Sequence, residues 1–486
     1  MPITVLGGTK LADTGYDVAN SVRFNDGDSP SLRRTIPDDE SSTGSRVLWT
    51  FSTWLKRGVL GTQQAIFGSY QNSNYHTVIE FNTSDQLNFF DEYNGSKNGQ
   101  RTTSRVFRDC SAWYHIVCIW DKDNGTDANK MRVYVNGVEE SAFGTNSVPS
   151  NGCTLGADDQ DMSIGERETV GQNFDGYFAE TFFVDGTAYA ASVFGEFDED
   201  SPTIWKPKDC SDDLTFGTNG FWLDYEDSSN LGNDKNGGTD YTEANLAAAD
   251  QSTDSPTNNF ATMNPLDNYY PASTFSEGNC KVVQGGSAYA WNLSTIAVTA
   301  GKWYAEAKLT TSGAYALVGI TDQSPVRKLT DVLGSDAYDY SIYQYNGDLF
   351  NNAGTDPSND DANYAASYAS GDIIGIALDL DNNKIYFSKG GAWSDGAGSW
   401  DSTTFADDTG DVSITAAAST GNGNYFFASG DYQSASQPTW EWNFGGCPPN
   451  TISSGNADGN GYGNFEYSVP SGFYSLCTKN LGAYGG

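Results

Sequence analysis

The sequence predicts an all-β protein built from two β-sandwich (jelly-roll) domains in tandem. Three observations predict it. Short apolar runs, many alternating in polarity, recur along the 486 residues between clusters of Gly, Asn, Asp and Ser. No run of Ala, Leu, Glu and Lys holds a helical period. Glycine is frequent at 54 and aromatic residues make up 14%, as many turns and many half-covered strand faces require.

Taken in order, residues 1–20 read as an N-terminal attachment segment. The first sandwich spans 21–226, with candidate strands "SVRFN", "VLWTFSTWLKR", "QAIFGSY", "HTVIEFN", "QLNFFDEY", "WYHIVCIW", "MRVYVNG", "FDGYFAETFFVDG" and "GFWLDYE". Residues 227–264 are rich in Asn, Asp, Ser, Thr and Gly with few large apolar side chains, and read as a polar linker. The second sandwich spans 265–446, with "KWYAEAKLT", "AYALVGIT", "YSIYQYNG", "DIIGIALDLDNNKIYFSKGG", "SITAAAS", "NYFFASG" and "TWEWNFGG". Residues 447–486 form a Gly/Asn-rich tail whose apolar island "GFYSLCTKNL" is expected to dock on a domain or a neighbouring subunit.

Charge narrows the partners. There are 26 basic and 63 acidic residues, a formal net charge of −37. Nucleic-acid binding relies on Lys and Arg neutralising phosphates, so DNA and RNA are excluded, as is an anionic membrane surface. No stretch is long and apolar enough for membrane insertion. The seven cysteines show no C-x-x-C pair and no readable disulfide framework. "MPITVLGGTKLADTG" lacks the features of a signal peptide, so synthesis and folding are expected in a reducing cytoplasm, with any exit by a route such as lysis.

The stretch Trp113–Gly137, "WYHIVCIWDKDNGTDANKMRVYVNG", concentrates the residues that invite a chemical reading. His115, one of two histidines, shares a strand face with Trp113, Val117 and Ile119 and is expected to be a packed, neutral ring. Asn136-Gly137 suits a two-residue hairpin turn. Asp121, Asp123 and Asp127 suggest calcium, but the twelve-residue loop pattern fails, because Gly falls fifth and Arg132 occupies the twelfth position. Those three, with Asp158, Asp159 and Asp161 in "GADDQDMSIGE", remain the candidate calcium ligands; no other cofactor is implied.

The order W-Y-H…W-D…R-V-Y-V-N-G, followed by "NFDGYFAETFFVDG", resembles laminin-G/concanavalin-A-like lectin domains. The wider first half resembles lectin-like modules of marine bacteriophage structural proteins through "SVRFNDGDSPSLRRT", "WTFSTWLKRG", "VFRDCSAWYHIVCIWD", "FGEFDEDSPTIWKPK" and "TNGFWLDYED". In the second half, "GKWYAEAKLT", "YALVGIT", "SGDIIGIALDLDNNKIYFSKGG" and "WEWNFG" occur in the order of a SPRY domain and resemble one. These resemblances imply a concanavalin-A-like sandwich followed by a SPRY-like one. They also imply a non-enzymatic virion protein: a tail fibre or similar appendage that binds a host cell-surface glycan or protein. Other virion proteins and further copies of itself, expected as a trimer, would be its partners. Binding loops would include "DQSPVRKLTDVLGSDAYDY" and "NAGTDPSNDDANYAASY".

The alternatives are a capsid-decorating or head-fibre protein and a glycan depolymerase. For the last, Glu196, Asp198 and Asp200 in "GEFDEDSP" would share one face of a strand, resembling the E-x-D-x-E pattern of β-glucanases. The third acid is one methylene short, and Gly195 and Ser201-Pro202 bracket the trio, which points to a surface turn.

Overall fold

The structure is a computed structural model. It describes residues 3–4, 15–36, 46–155, 160–167, 171–268, 273–286, 289–311, 315–322, 332–352, 364–402, 405, 410–432 and 437–485. The chain forms two compact units, Ala12–Thr257 and Met1–Leu11 with Asn258–Gly486.

The first unit packs two eight-stranded antiparallel sheets face to face. The central strands of one are Trp113–Asp121, Leu48–Arg57 and Gly176–Asp185. The other is centred on Leu87–Tyr93, Tyr75–Phe81 and Gln64–Asn72. Trp49, Phe51, Phe67, Phe89, Trp120 and Phe183 fill the space between them. Both faces of Trp113–Asp121 are apolar because both are covered. Ile116, Cys118 and Trp120 point into this core. Val117 and Ile119 meet a second cluster containing Ala191, Phe194 and Phe216. Asn136 and Gly137 have φ of 48° and 78° and join paired Val135 and Val138, as the hairpin reading expects.

The second unit has a six-stranded and a ten-stranded sheet. Trp303, Ala305, Ala307 and Leu309 of the strand Lys302–Thr311 enter the core, as do Ile374, Ile376 and Leu378 of Ile373–Asp379. The alternate residues, Tyr304, Glu306, Gly375 and Ala377, lie on the opposite face.

The expected linker is corrected. Residues 227–264 are not a linker. Leu231 and Tyr241 belong to the first core, Thr242–Ala244 pairs with Ser31–Thr35, and Gln251–Ser252 pairs with Ser21–Phe24. Lys56 and Asp254, both almost fully buried, form an ion pair at 2.8 Å. Beyond Thr257 the chain already belongs to the second unit, whose core takes Ala261 and Met263. Strands of two or three residues carry no periodicity for sequence reading to detect. Near the start of the chain, Ile3–Thr4 pairs in parallel with Trp291–Val298. The tail is structured: Tyr474–Ser475 pairs with Lys302–Thr311, a helix spans Thr478–Tyr484, and Leu476 and Leu481 enter the core, so the apolar island docks on its own unit.

Candidate functional site

The outer face of the ten-stranded sheet carries a concave site. Register places Glu306 opposite Gly375, Gly375 opposite Ser388 and Ser388 opposite Trp393, so four strands lay one row of residues across the face. Gly375 is the gap in that row. A Cβ there would lie 2.4 Å from Ser388 Oγ and 2.9 Å from Tyr304 Oη. The strand Lys384–Lys389 turns into Ala392–Ser394 through Gly390-Gly391, with φ of 59° and 81°, which an ordinary side chain resists.

The C-terminal segment crosses this face and completes a groove of about 450 Å³. Tyr304 and Ser388 form its floor, Trp393 and Phe405 one wall, and Tyr467 to Pro470 the other. Its size falls in the roughly 300–1,000 Å³ range of small-molecule sites. Trp393 and Phe405 meet edge to face at 4.8 Å between ring centres, and Phe405 leans on Tyr386 at 4.7 Å and Phe473 at 4.9 Å. Tyr467 lies so close to Gly391 that an added Cβ would come within 2.7 Å of its ring. Ser388 is 1% exposed, and its hydroxyl has no hydrogen-bond partner among the described residues.

Glu306 lies behind the groove and fixes one wall. Its carboxylate accepts the Tyr304 hydroxyl at 3.0 Å and the backbone N–H groups of Tyr467 and Glu466 at 2.9 and 3.0 Å. Burial outweighs these hydrogen bonds and pushes its pKa up to about 7. The first unit holds a comparable group. Glu180 accepts from Trp222 Nε1 at 2.9 Å and from the Tyr16 hydroxyl at 3.1 Å, and burial raises it to about 8.

The residues singled out in the sequence lie elsewhere. His115 is sandwiched between Trp54 at 4.8 Å and Trp205 at 5.9 Å. Trp205 Nε1 donates to its Nδ1, so Nε2 carries the proton toward Ser52 Oγ at 2.9 Å. Burial lowers its pKa to about 3, so it is a neutral, packed ring. Glu196 and Asp198 lie on a short hairpin, both reached by Lys206, at 3.6 and 3.2 Å. Asp198 also accepts the backbone N–H groups of Asp200 and Ser201, while Asp200 is exposed. The trio therefore lies in a surface turn, as the bracketing Gly195 and Ser201-Pro202 suggest, with Glu196 and Asp198 engaged by Lys206.

The calcium candidates are likewise engaged with other groups. Asp121 accepts the Asn124 amide at 2.8 Å, Asp123 pairs with Lys122, Asp127 with Lys130 at 2.8 Å, and Asp161 accepts the Thr35 hydroxyl at 2.5 Å. Asp158 and Asp159 lie outside the described residues. Among the described residues no group of three His, Cys, Asp or Glu side chains is placed to hold a metal ion. Residues 323–331 and 353–363, most of the two expected binding loops, also lie outside the described set.

Sequence reasoning missed Ser388, Trp393 and Tyr467. The turn signal "SKGGAW" is legible, but nothing in it announces that a segment more than seventy residues later closes over it.

Residues 34–194 match the family model described as Concanavalin A-like lectin/glucanases superfamily, of the laminin-G type. No curated protein matches the chain. Among solved structures the chain is similar to the SPRY domain of human HERC1, at 16% identity over 39% of this chain and 99% of that one, with a TM-score of 0.28. It is also similar to a human SPRY domain, at 15% identity over 34% of this chain and 90% of that one, with a TM-score of 0.24. A third likeness is to a SAP-like pentraxin from Limulus polyphemus, at 18% identity over 35% of this chain and 77% of that one, with a TM-score of 0.24. No helix among the described residues is long and apolar enough to cross a membrane.

Proposed function

We propose that this chain is a non-enzymatic recognition protein that binds a cell-surface glycan in the groove beside Trp393. The observation that carries this reading is an open groove of about 450 Å³ with Trp393 and Phe405 as an aromatic wall and Tyr467 opposite. Apolar ring faces and a few directed polar groups are what a sugar, with its C–H faces and hydroxyl rim, requires. The lectin-superfamily match over 34–194 supports a carbohydrate-directed role for the chain as a whole. The engaged state of Glu196 and Asp198 weighs against the depolymerase alternative.

The resemblance of the first half to bacteriophage structural modules supports a place on a virion, as a tail fibre or similar appendage. A SPRY-like second sandwich would present the groove, and other virion proteins and copies of the same chain would be its partners. Two experiments test this. Affinity electrophoresis through gels containing host polysaccharide should retard the wild-type protein and release Trp393→Ala; equal mobility of the two sinks the groove reading. Antibody labelling of particles in electron micrographs should mark the tail, whereas labelling over the head would favour a decorating role.

A further inference from the structure

We propose that Asn124-Gly125 is a site of self-modification, where the chain deamidates its own asparagine to a mixture of aspartate and isoaspartate. The reaction takes water as its only co-reactant and needs no enzyme.

The sequence holds ten Asn-Gly pairs. Glycine has no Cβ to shield its nitrogen from the side chain before it. In four of the pairs the glycine is exposed: Gly95, Gly125, Gly237 and Gly461. Three of these nitrogens are engaged. Gly95 donates to the Asn74 carbonyl at 3.1 Å, Gly237 to the Asp234 carbonyl at 2.8 Å and Gly461 to the Asp458 carbonyl at 3.0 Å. The same three glycines hold positive φ, of 72°, 83° and 82°. Gly125 differs on both counts. Its N–H has no hydrogen bond among the described residues, its φ is not positive, and a Cβ built on it would meet nothing within 4 Å.

The Asn124 side chain is held for attack by that nitrogen. The Thr126 N–H donates to Asn124 Oδ1 at 3.0 Å, and Asn124 Nδ2 donates to Asp121 Oδ2 at 2.8 Å. The two bonds fix the amide in one orientation, which removes part of the entropic barrier. The Thr126 N–H also lies where negative charge gathers on Oδ1 as Cγ is attacked.

Gly125 N gives its proton to hydroxide or water and bonds to Asn124 Cγ. The Cγ–Nδ2 bond breaks and the side-chain nitrogen leaves as ammonia, which closes a five-membered imide. Water then adds to either imide carbonyl. Opening at Cγ gives aspartate; opening at the main-chain carbonyl gives isoaspartate, with an extra methylene in the backbone. Either product replaces a donor to Asp121 by a second carboxylate, in a loop that also carries Asp123 and Asp127. Like charges at that contact repel and loosen the loop between Trp113–Asp121 and Met131–Val135.

The test incubates the full chain from mildly acidic to mildly alkaline pH. Peptide mass spectrometry, with fragmentation that separates isoaspartate from aspartate, follows each site. Asn124 should convert roughly five- to tenfold faster than Asn94, Asn236 or Asn460, whose glycines must first give up a hydrogen bond. The rate should rise with pH, because the deprotonated nitrogen attacks, and both products should form. Gly125→Ala places its methyl in open space beside the nucleophile and should slow conversion by about tenfold or more without lowering the thermal midpoint. Asn124→Asp should speed amide exchange over residues 121–130. Conversion at Asn124 no faster than at the three other sites overturns the assignment. So does wild-type speed in Gly125→Ala, or aspartate as the sole product, which marks direct hydrolysis. Unchanged exchange in Asn124→Asp overturns the loosening.

Discussion

Replacing Glu306 by Gln should flatten the pH dependence of stability around the groove. In the folded chain this carboxyl is raised from its usual 4.5 to about 7, chiefly by burial. The folded state therefore keeps the proton over a range where the unfolded chain has lost it. Its stabilising contribution is full below about 4.5 and is lost as pH rises through 7. At about 1.4 kcal/mol per pH unit, the difference amounts to roughly 3 kcal/mol between mild acid and pH 8. Gln cannot ionise, so that loss disappears. It has one acceptor oxygen where the carboxylate has two, and the N–H of Glu466 then faces an amide nitrogen, at a cost of about 1 kcal/mol. The two stability curves should cross: similar or slightly lower stability for the variant near pH 5, and higher stability by about 2 kcal/mol at pH 8. Amide hydrogen exchange of peptides covering 464–476, corrected for the intrinsic pH dependence of exchange, reads this locally. Parallel wild-type and variant curves would refute the reasoning.

Other outcomes follow from the same contacts. A fragment of residues 12–257 should fold cooperatively, whereas one ending at 226 should not, as circular dichroism and urea melts would show, because the latter lacks Leu231, Tyr241 and Asp254. Asp254→Ala should cost the first unit about 3–5 kcal/mol in urea unfolding by leaving Lys56 buried without its counter-charge; a cost below 1 kcal/mol would contradict the buried pair. Gly391→Ala, at φ of 81° and facing the Tyr467 ring, should displace that wall and abolish ligand retardation while costing about 1 kcal/mol or more of stability. The His115 ring should show no NMR titration from pH 8 to 5. Since its folded pKa is lowered to about 3, it stabilises the first unit above the ordinary histidine value of 6.5, and that stabilisation should fade as pH drops from 6.5 toward 3.

Much of the scaffold was legible in the sequence because long strands announce themselves. Trp113–Asp121, Leu48–Arg57 and Ile373–Asp379 are runs whose faces the core uses as their patterns suggest, and Asn136-Gly137 marks its turn by backbone chemistry alone. The packed state of His115 followed from its apolar neighbours, although its tryptophan partners did not. Trp205 reaches it from ninety residues away. The short strands Thr242–Ala244 and Gln251–Ser252 were illegible for the opposite reason: each is held by its pairing and by a neighbouring contact such as Lys56–Asp254, and neither has a pattern of its own. The groove was hidden in the same way. Ser388 is an ordinary strand residue until Gly375 makes room beneath it and the segment ending at Pro470 closes the side. The acidic clusters drew attention by composition, yet Glu196, Asp198 and Asp121 are occupied by lysine, backbone N–H or amide groups close in sequence.

The most direct measurement is a structure of the full chain with an oligosaccharide that it binds. The sugar should lie in the groove with a ring face against Trp393 or Tyr467. Sugar density confined to the first unit, with the groove empty, would contradict the account.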